Sequence, residues 1–316
     1  MSPFKSLTFV SPCPGAKLIV LGAVHGNEIC GTMAIQRVIN EMDRGALPIA
    51  AGQLTLVPVT NPLAYAGRRR NGDRNLNRNL VPRSAPRDYE DHIANWLCPL
   101  LAQHDVLLDL HSFHSAGSAF VLLGPPDNGG PIEPFSHAAR EEALALRLGV
   151  SRAVEGWLSC YAAGVARRSG AAAAPAVAEG VGTTEYMRSV GGWALTLECG
   201  QHDDPHAPEV AYQAIVNALL HLRLIDGPDP AEVPQMEGLQ LCEVIDRLHP
   251  GDMLAREWKS FDPFSAGQLI GMRHDGTPVT APFDGRVVFP KADADPGQEW
   301  FFLAKPHKRL SRGPGS

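Results

Sequence analysis

A histidine and a carboxylate three residues apart stand directly behind an apolar run. His25 and Glu28 follow Leu18–Val24 through the short link Gly26-Asn27. Where a strand gives way to a helix, these two side chains can bite one metal ion together. His111 closes a second apolar run, 105–110, and Glu198 closes a third, 193–197. Two imidazoles and a carboxylate leave one corner of a tetrahedral ion open, and a spare carboxylate can move a proton beside it. This is how a hydrolase builds a zinc site. Nitrogen and oxygen donors without cysteine suit one Zn2+ per chain, with cobalt, manganese or nickel as substitutes. Asp109 precedes His111 by two residues, shares its strand face, and is expected to orient the second ring nitrogen. His114 and His202 read as pocket or surface residues rather than ligands.

The run Arg68–Asn79 is dense in guanidinium and carboxamide groups. It follows one strand pattern and precedes one helix pattern, which places it at the active end of a sheet. Arginine forks bind carboxylates bidentately. Arg188, ten residues before Glu198, is a second candidate of this kind. A nucleic-acid surface is the competing reading of the run. The net charge of −6 and the lack of interleaved aromatics weigh against it.

Hydrophobic periodicity supplies the elements that must position these residues. Strands are expected at 17–24, 53–59, 105–110, 118–123 and 193–199, and helices at 28–43, 88–104, 135–149 and 208–225. The alternation predicts an α/β fold, a mixed open sheet with helices on both faces. Gly227–Pro234 has linker composition, and beyond it short β-like runs alternate with turns. The expected organisation is a catalytic domain over 1–228, a linker over 229–237, a small mostly-β domain over 238–308 and a disordered tail over 309–316. The alanine-rich run 171–178 reads equally well as a mobile loop beside the site and as an incidental surface loop. No internal repeat is visible.

Composition bounds the reading. The chain has 316 residues, 44% of them hydrophobic and 20% charged, so a packed core is within reach. Its six cysteines form no Cys-x-x-Cys pair, which reads as reduced, mostly buried thiols. The N-terminus lacks a signal-peptide core, and no apolar stretch is long enough to span a membrane. A cytoplasmic protein is expected, with no membrane or nucleic-acid partner and with homo-oligomerisation open.

Four motifs in order carry a family likeness: His25-Gly-Asn-Glu28, Asn75-Leu-Asn-Arg78, Asp109-Leu-His111 and Leu197-Glu-Cys-Gly200. Over residues 17–225 the chain resembles the succinylglutamate desuccinylase/aspartoacylase family of zinc-carboxypeptidase-like hydrolases. The resemblance implies that His25, Glu28 and His111 hold zinc and that Glu198 is the general base. It implies that Arg70 polarises the scissile carbonyl, and that Asn77, Arg78 and Arg188 grip a substrate carboxylate. The implied reaction is hydrolysis of the amide bond of a small anionic N-acyl amino acid. The alternative is a metallocarboxypeptidase acting on peptide C-termini. The chain departs from the family pattern in three places. Asn75 replaces an acidic residue, Thr184 stands where the aspartoacylase branch has tyrosine, and Trp300 stands near that branch's second tyrosine.

Overall fold

A computed structural model describes residues 3–169 and 173–311. The strand β1 (Leu7–Val10) runs antiparallel to β3 (Gln53–Val57), which lies parallel to β2 (Lys17–Leu21). Helix α1 (Cys30–Asp43) connects β2 to β3, and α2 (Pro62–Ala66) and α3 (Tyr89–Leu101) lead on to β4 (Val106–Phe113). After β4 come β5 (Phe120–Leu122), α4 (Ala138–Ala145), β6 (Arg152–Glu155) and the helices α5 (Trp157–Ser169), α6 (Ala173–Gly180) and α7 (Thr183–Ser189). Strand β7 (Trp193–Gln201) and helix α8 (Ala207–His221) complete this part.

The order of the main sheet explains the sequence pattern. β2, β4 and β7 are parallel neighbours at its centre. Strands buried on both faces read as unbroken apolar runs, and β4 is buried along its whole length. Leu18 and Val20 point into a core with α1, α4 and α8, while Ile19 and Leu21 point into a core with α3 and Met187 of α7. Helices therefore cover both faces, as the periodicity requires. The sheet is mixed because β5 runs antiparallel to β7 but parallel to β6.

The C-terminal region is joined to this sheet. Its first strand, β8 (Glu237–Asp246), pairs in parallel with β6. The hairpin pieces β9 (Met253–Leu254), β10 (Pro263–Phe264), β11 (Leu269–Met272), β12 (Pro278–Thr280), β13 (Gly285–Val288) and β14 (Glu299–Pro306) follow. The order β8-β14-β13-β10 extends the main sheet to 11 strands, while β9, β11 and β12 form a small sheet of their own. This region has a private core around Trp258, Ile270 and Trp300. It also shares a core with the first part, where Phe113, Phe120 and Val154 meet Leu239, Leu241 and Phe302. No helix among the described residues is long and apolar enough to cross a membrane.

Several expectations are adjusted. β4 and β7 run on past residues 110 and 199, so His111 sits within its strand rather than behind it, and Glu198 lies inside its strand as expected. The alanine-rich run is helical from residue 173, in keeping with the helix propensity of alanine; residues 171 and 172 lie outside the described part. Arg309, where a disordered tail was expected to begin, donates to Glu142, to Glu155 and to the Gly124 carbonyl. Residues 312–316 lie outside the described part.

Candidate active site

The turn that follows β2 makes the first half of the site. Ala23 adopts a left-handed φ of 47°, which swings the chain away from the strand. Gly26 then passes so close to α2 that a Cβ would fall 2.0 Å from the Ala64 carbonyl carbon, so no other residue fits. The Glu28 N–H donates back to the His25 carbonyl at 3.1 Å. His25 Nδ1 is thereby brought 2.9 Å from Glu28 Oε1. From β4, His111 Nδ1 comes within 2.8 Å of Glu28 Oε2, and the Ser112 N–H donates to the same oxygen.

The ligand atoms of His25, Glu28 and His111 all lie within 4.8 Å of one another, and all three residues are buried. Each ring turns its other nitrogen to a side-chain oxygen: His25 Nε2 is hydrogen-bonded to Asn75 Oδ1 at 3.0 Å, and His111 Nε2 lies 2.9 Å from Asp109 Oδ2 without a well-aligned hydrogen bond. Metal-ligating imidazoles are oriented in this manner. His25 Nδ1 is buried without a well-aligned hydrogen bond, although the Glu28 carboxylate is within reach. Such a buried donor set, aimed at one point, fits a divalent cation. Burial pushes His25 down to about 4, with Arg70 adding to the fall, so it is neutral, as a ligand must be. Burial alone would raise Glu28, but the neighbouring rings of His25 and His111 hold its carboxyl well below the usual range. Burial would likewise lower His111, yet Asp109 and Glu28 hold it well above its ordinary value.

Register sets the other half. In the β4–β7 ladder His111 is directly opposite Glu198, so a carboxylate lies beside the cluster on the next strand. Glu198 lines the cleft, and its Oε2 has no hydrogen-bond partner. Burial pushes its carboxyl up to about 8; Glu28 and Asp109 add to the rise, and His111 and Arg70 oppose it. Arg70 reaches in from the opposite wall with Nη1 2.7 Å from Glu28 Oε1, while 45% of its side chain stays exposed.

The basic loop owes its shape to residues that the sequence reading missed. The buried carboxylate of Glu90, in the first turn of α3, accepts the backbone N–H groups of Gly72, Asp73 and Arg74 and the side chain of Asn61. Arg74 bonds Asp88 and Asp91 and donates to the carbonyls of Asn75 and Arg78, so it braces the loop rather than facing the cleft. Asn77 does line the cleft, with its oxygen held by the Thr183 N–H at 2.8 Å. Arg78 also lines the cleft and is paired with Glu299 of β14 at 3.2 Å. The acidic pair Asp88 and Asp91, and Glu90 between them, was the available signal: carboxylates opening a helix often serve its own N-terminus, and here they also serve the loop.

Arg188 is already engaged by neighbours. It borders the cleft, but its donors are taken by Glu141 Oε1 (2.8 Å), Glu133 Oε1 (2.9 Å) and the Ala194 carbonyl (2.8 Å). Sequence reading could not see this, because Glu133 and Glu141 approach from a distant loop and helix. Trp300 is fully buried among Phe301 and Gly271, away from the cleft, and its neighbour Glu299 faces the site instead. Asp109 lies where an orienting carboxylate is needed and also accepts from Thr183 Oγ1. His202 and His114 line the cleft, and His202 rests against Ser112 Oγ at 2.9 Å.

These groups face one cleft of about 810 Å³. It lies beyond the carboxyl ends of the parallel strands, where open α/β sheets place ligands. A mixed α/β sheet carries a buried His–Glu–His cluster able to hold a cation, with a carboxylate on the adjacent strand. Residues 14–132 match the model of the succinylglutamate desuccinylase/aspartoacylase catalytic domain. Solved structures share the fold at low identity. The product-bound ectoine utilization protein EutE (DoeB) from Ruegeria pomeroyi is 18% identical with a TM-score of 0.71, over 95% of this chain and 88% of that one. A succinylglutamate desuccinylase/aspartoacylase from Rhodobacter sphaeroides is 17% identical with a TM-score of 0.70, over 94% and 87%. The succinylglutamate desuccinylase from Vibrio cholerae is 18% identical with a TM-score of 0.70, over 95% and 85%. No curated protein matches the chain.

Proposed function

We propose that this protein is a zinc-dependent hydrolase of the amide bond in small, anionic N-acyl amino acids. One observation carries the reading: a buried carboxylate, Glu28, lies between the Nδ1 atoms of His25 and His111, with the free carboxylate of Glu198 on the adjoining strand. His25, Glu28 and His111 would hold the ion. When bound, it would supply Lewis-acid chemistry and ease ionisation of water in its reach.

The chain's own groups do the rest. Glu198 takes a proton from the attacking water and returns it to the leaving nitrogen, a role suited to a carboxylate whose affinity for protons is raised by burial. Arg70 places its guanidinium where the substrate carbonyl gathers negative charge. The amide hydrogens of Asn77, whose oxygen is held by Thr183, are aimed at a substrate carboxylate. Phe289, Glu299 and Phe302 of the C-terminal region narrow the cleft, which favours small acyl amino acids over peptide C-termini.

The test is a panel of N-acetyl and N-succinyl amino acids against C-terminal dipeptides, run on purified protein of known metal content. Turnover of acyl amino acids with about one zinc per chain is the expected result. Turnover confined to dipeptides would mark a carboxypeptidase, and protein that binds no metal and turns over nothing would end the hydrolase reading.

A further inference from the structure

Three features of the cleft bear on what lies in it beside the scissile amide. Arg188 has its Nε, Nη1 and Nη2 donors already engaged by Glu141, Glu133 and a carbonyl, with Glu185 Oε1 a further 3.6 Å from Nη1. A substrate carboxylate reaching this guanidinium would have to displace Glu133 and then share it with two more carboxylates. Arg78 is compensated as well. It pairs with Glu299, donates to the Asn77 carbonyl at 2.8 Å, and lies over the rings of Tyr161 and Trp157 at 4.4 and 4.9 Å from their centroids.

The third feature is apolar. Leu122, Trp157 and Phe289 are half-buried, line the cleft and rest on one hydrophobic cluster. Phe302 of that cluster packs against Trp157 at 5.3 Å, and Phe120 packs against Phe289 at 5.5 Å between centroids. Such a surface gains from covering by an apolar group. A second carboxylate set against it would lose water without gaining an apolar contact.

We propose that the cleft selects N-acyl amino acids carrying one carboxylate and one apolar, preferably aromatic, group seated on Leu122, Trp157 and Phe289, rather than N-acyl dicarboxylates. The proposal deepens the deacylase reading and rests on it. The single carboxylate is left to the Asn77 amide and to Arg69 and Lys291. Both cations line the cleft, and among the described residues neither is bonded to a carboxylate. The apolar group can belong to the amino acid or to the acyl chain, so both arms are tested.

Calorimetry on metal-free protein would compare N-acetylphenylalanine and N-benzoylglycine with N-acetylaspartate and N-succinylglutamate. At least one apolar ligand is expected to bind about 10-fold or more tightly than both dicarboxylates, the size of effect one apolar group exerts in a hydrophobic pocket. The zinc-loaded protein should rank them in the same order by kcat/KM. The two apolar ligands separate an amino-acid seat from an acyl seat. Trp157→Ala should shrink the ratio towards one, and Leu122→Asn, a smaller change on a strand, should do the same with an unaltered circular dichroism spectrum. Equal or tighter binding of the dicarboxylates by the unmodified protein overturns the proposal. An apolar preference in binding without turnover of any acyl amino acid upholds the seat while removing the deacylase reading.

Discussion

Glu28 is the residue on which the electrostatics of the cluster turn. Its two oxygens are shared by His25, His111, Arg70 and the Ser112 N–H, so a buried negative charge is held by neighbours that would otherwise repel one another. Glu198, opposite His111, lacks such partners, which suits it to moving a proton rather than holding a cation. Glu198→Gln should keep its zinc, measured by elemental analysis, and lose about 10²-fold to 10⁴-fold in kcat. A variant that keeps near-normal kcat would remove Glu198 from the base role. Asp109 acts through His111, 2.9 Å away. Asp109→Asn should weaken zinc binding by about 10-fold to 100-fold in competition with a chelating dye, and unchanged affinity would deny it the orienting part. Ligand types and spacing were readable at this scale. The partner of His25 was not, because Asn75 reaches it across 50 positions of sequence through a folded loop.

At the scale of elements, the loop over 68–79 is held open by α3. Glu90 is fully buried and accepts four N–H groups from the loop and from Asn61. Glu90→Gln turns two acceptor oxygens into one acceptor and one donor facing donors. The loss should be about 2–4 kcal/mol in denaturant unfolding, accompanied by a raised KM as Asn77 loses its place. An undisturbed midpoint would mean the loop is held by Arg74 alone. A similar device pins the C-terminal hairpins. Asp252 accepts from the N–H groups of Leu248, His249 and His274 and from Arg273. Although burial pushes the other way, these bonds hold its carboxyl far below the usual 3.8. A depressed folded-state pKa contributes stability that is complete above the unfolded value and fades as pH falls towards the folded one. Asp252→Asn should therefore cost about 2–4 kcal/mol at neutral pH, with the gap to the parent protein closing below about pH 4. A gap that persists unchanged at pH 3 would show that the carboxylate's charge contributes nothing. Helix and strand positions were legible here because their period follows from burial; the bracing carboxylates were not, since an acidic first turn looks the same whether or not a loop rests on it.

Across the whole molecule, the His–Glu–His cluster ties together elements far apart in the chain. His25 and Glu28 follow β2, His111 belongs to β4, and Arg70 comes from the loop before α3. A cation held by the folded state alone stabilises it by mass action, about 2.7 kcal/mol at 100 times Kd. Zinc should raise Tm and chelation should lower it, by roughly 2–4 °C per kcal/mol for a chain of this size or somewhat less. His25→Ala should abolish that zinc-dependent shift, and a shift of full size in the variant would place the ion elsewhere. The C-terminal strands belong to the same unit, since β8 is joined to β6 and Glu299 reaches Arg78 across the cleft.

By itself the sequence determined the central strands, the helices α1, α3, α4 and α8, and the residues of the His–Glu–His cluster at the carboxyl end of the sheet, while β1, β6, α2 and α5 to α7 were not read from it. What it determined follows from local spacing and from the apolar pattern that a buried strand imposes. Which arginines remain free for a ligand was decided only in three dimensions. Glu133, Glu141 and Glu299 come from remote segments to compensate Arg188 and Arg78, and the charge available to a substrate depends on distances that linear order does not encode.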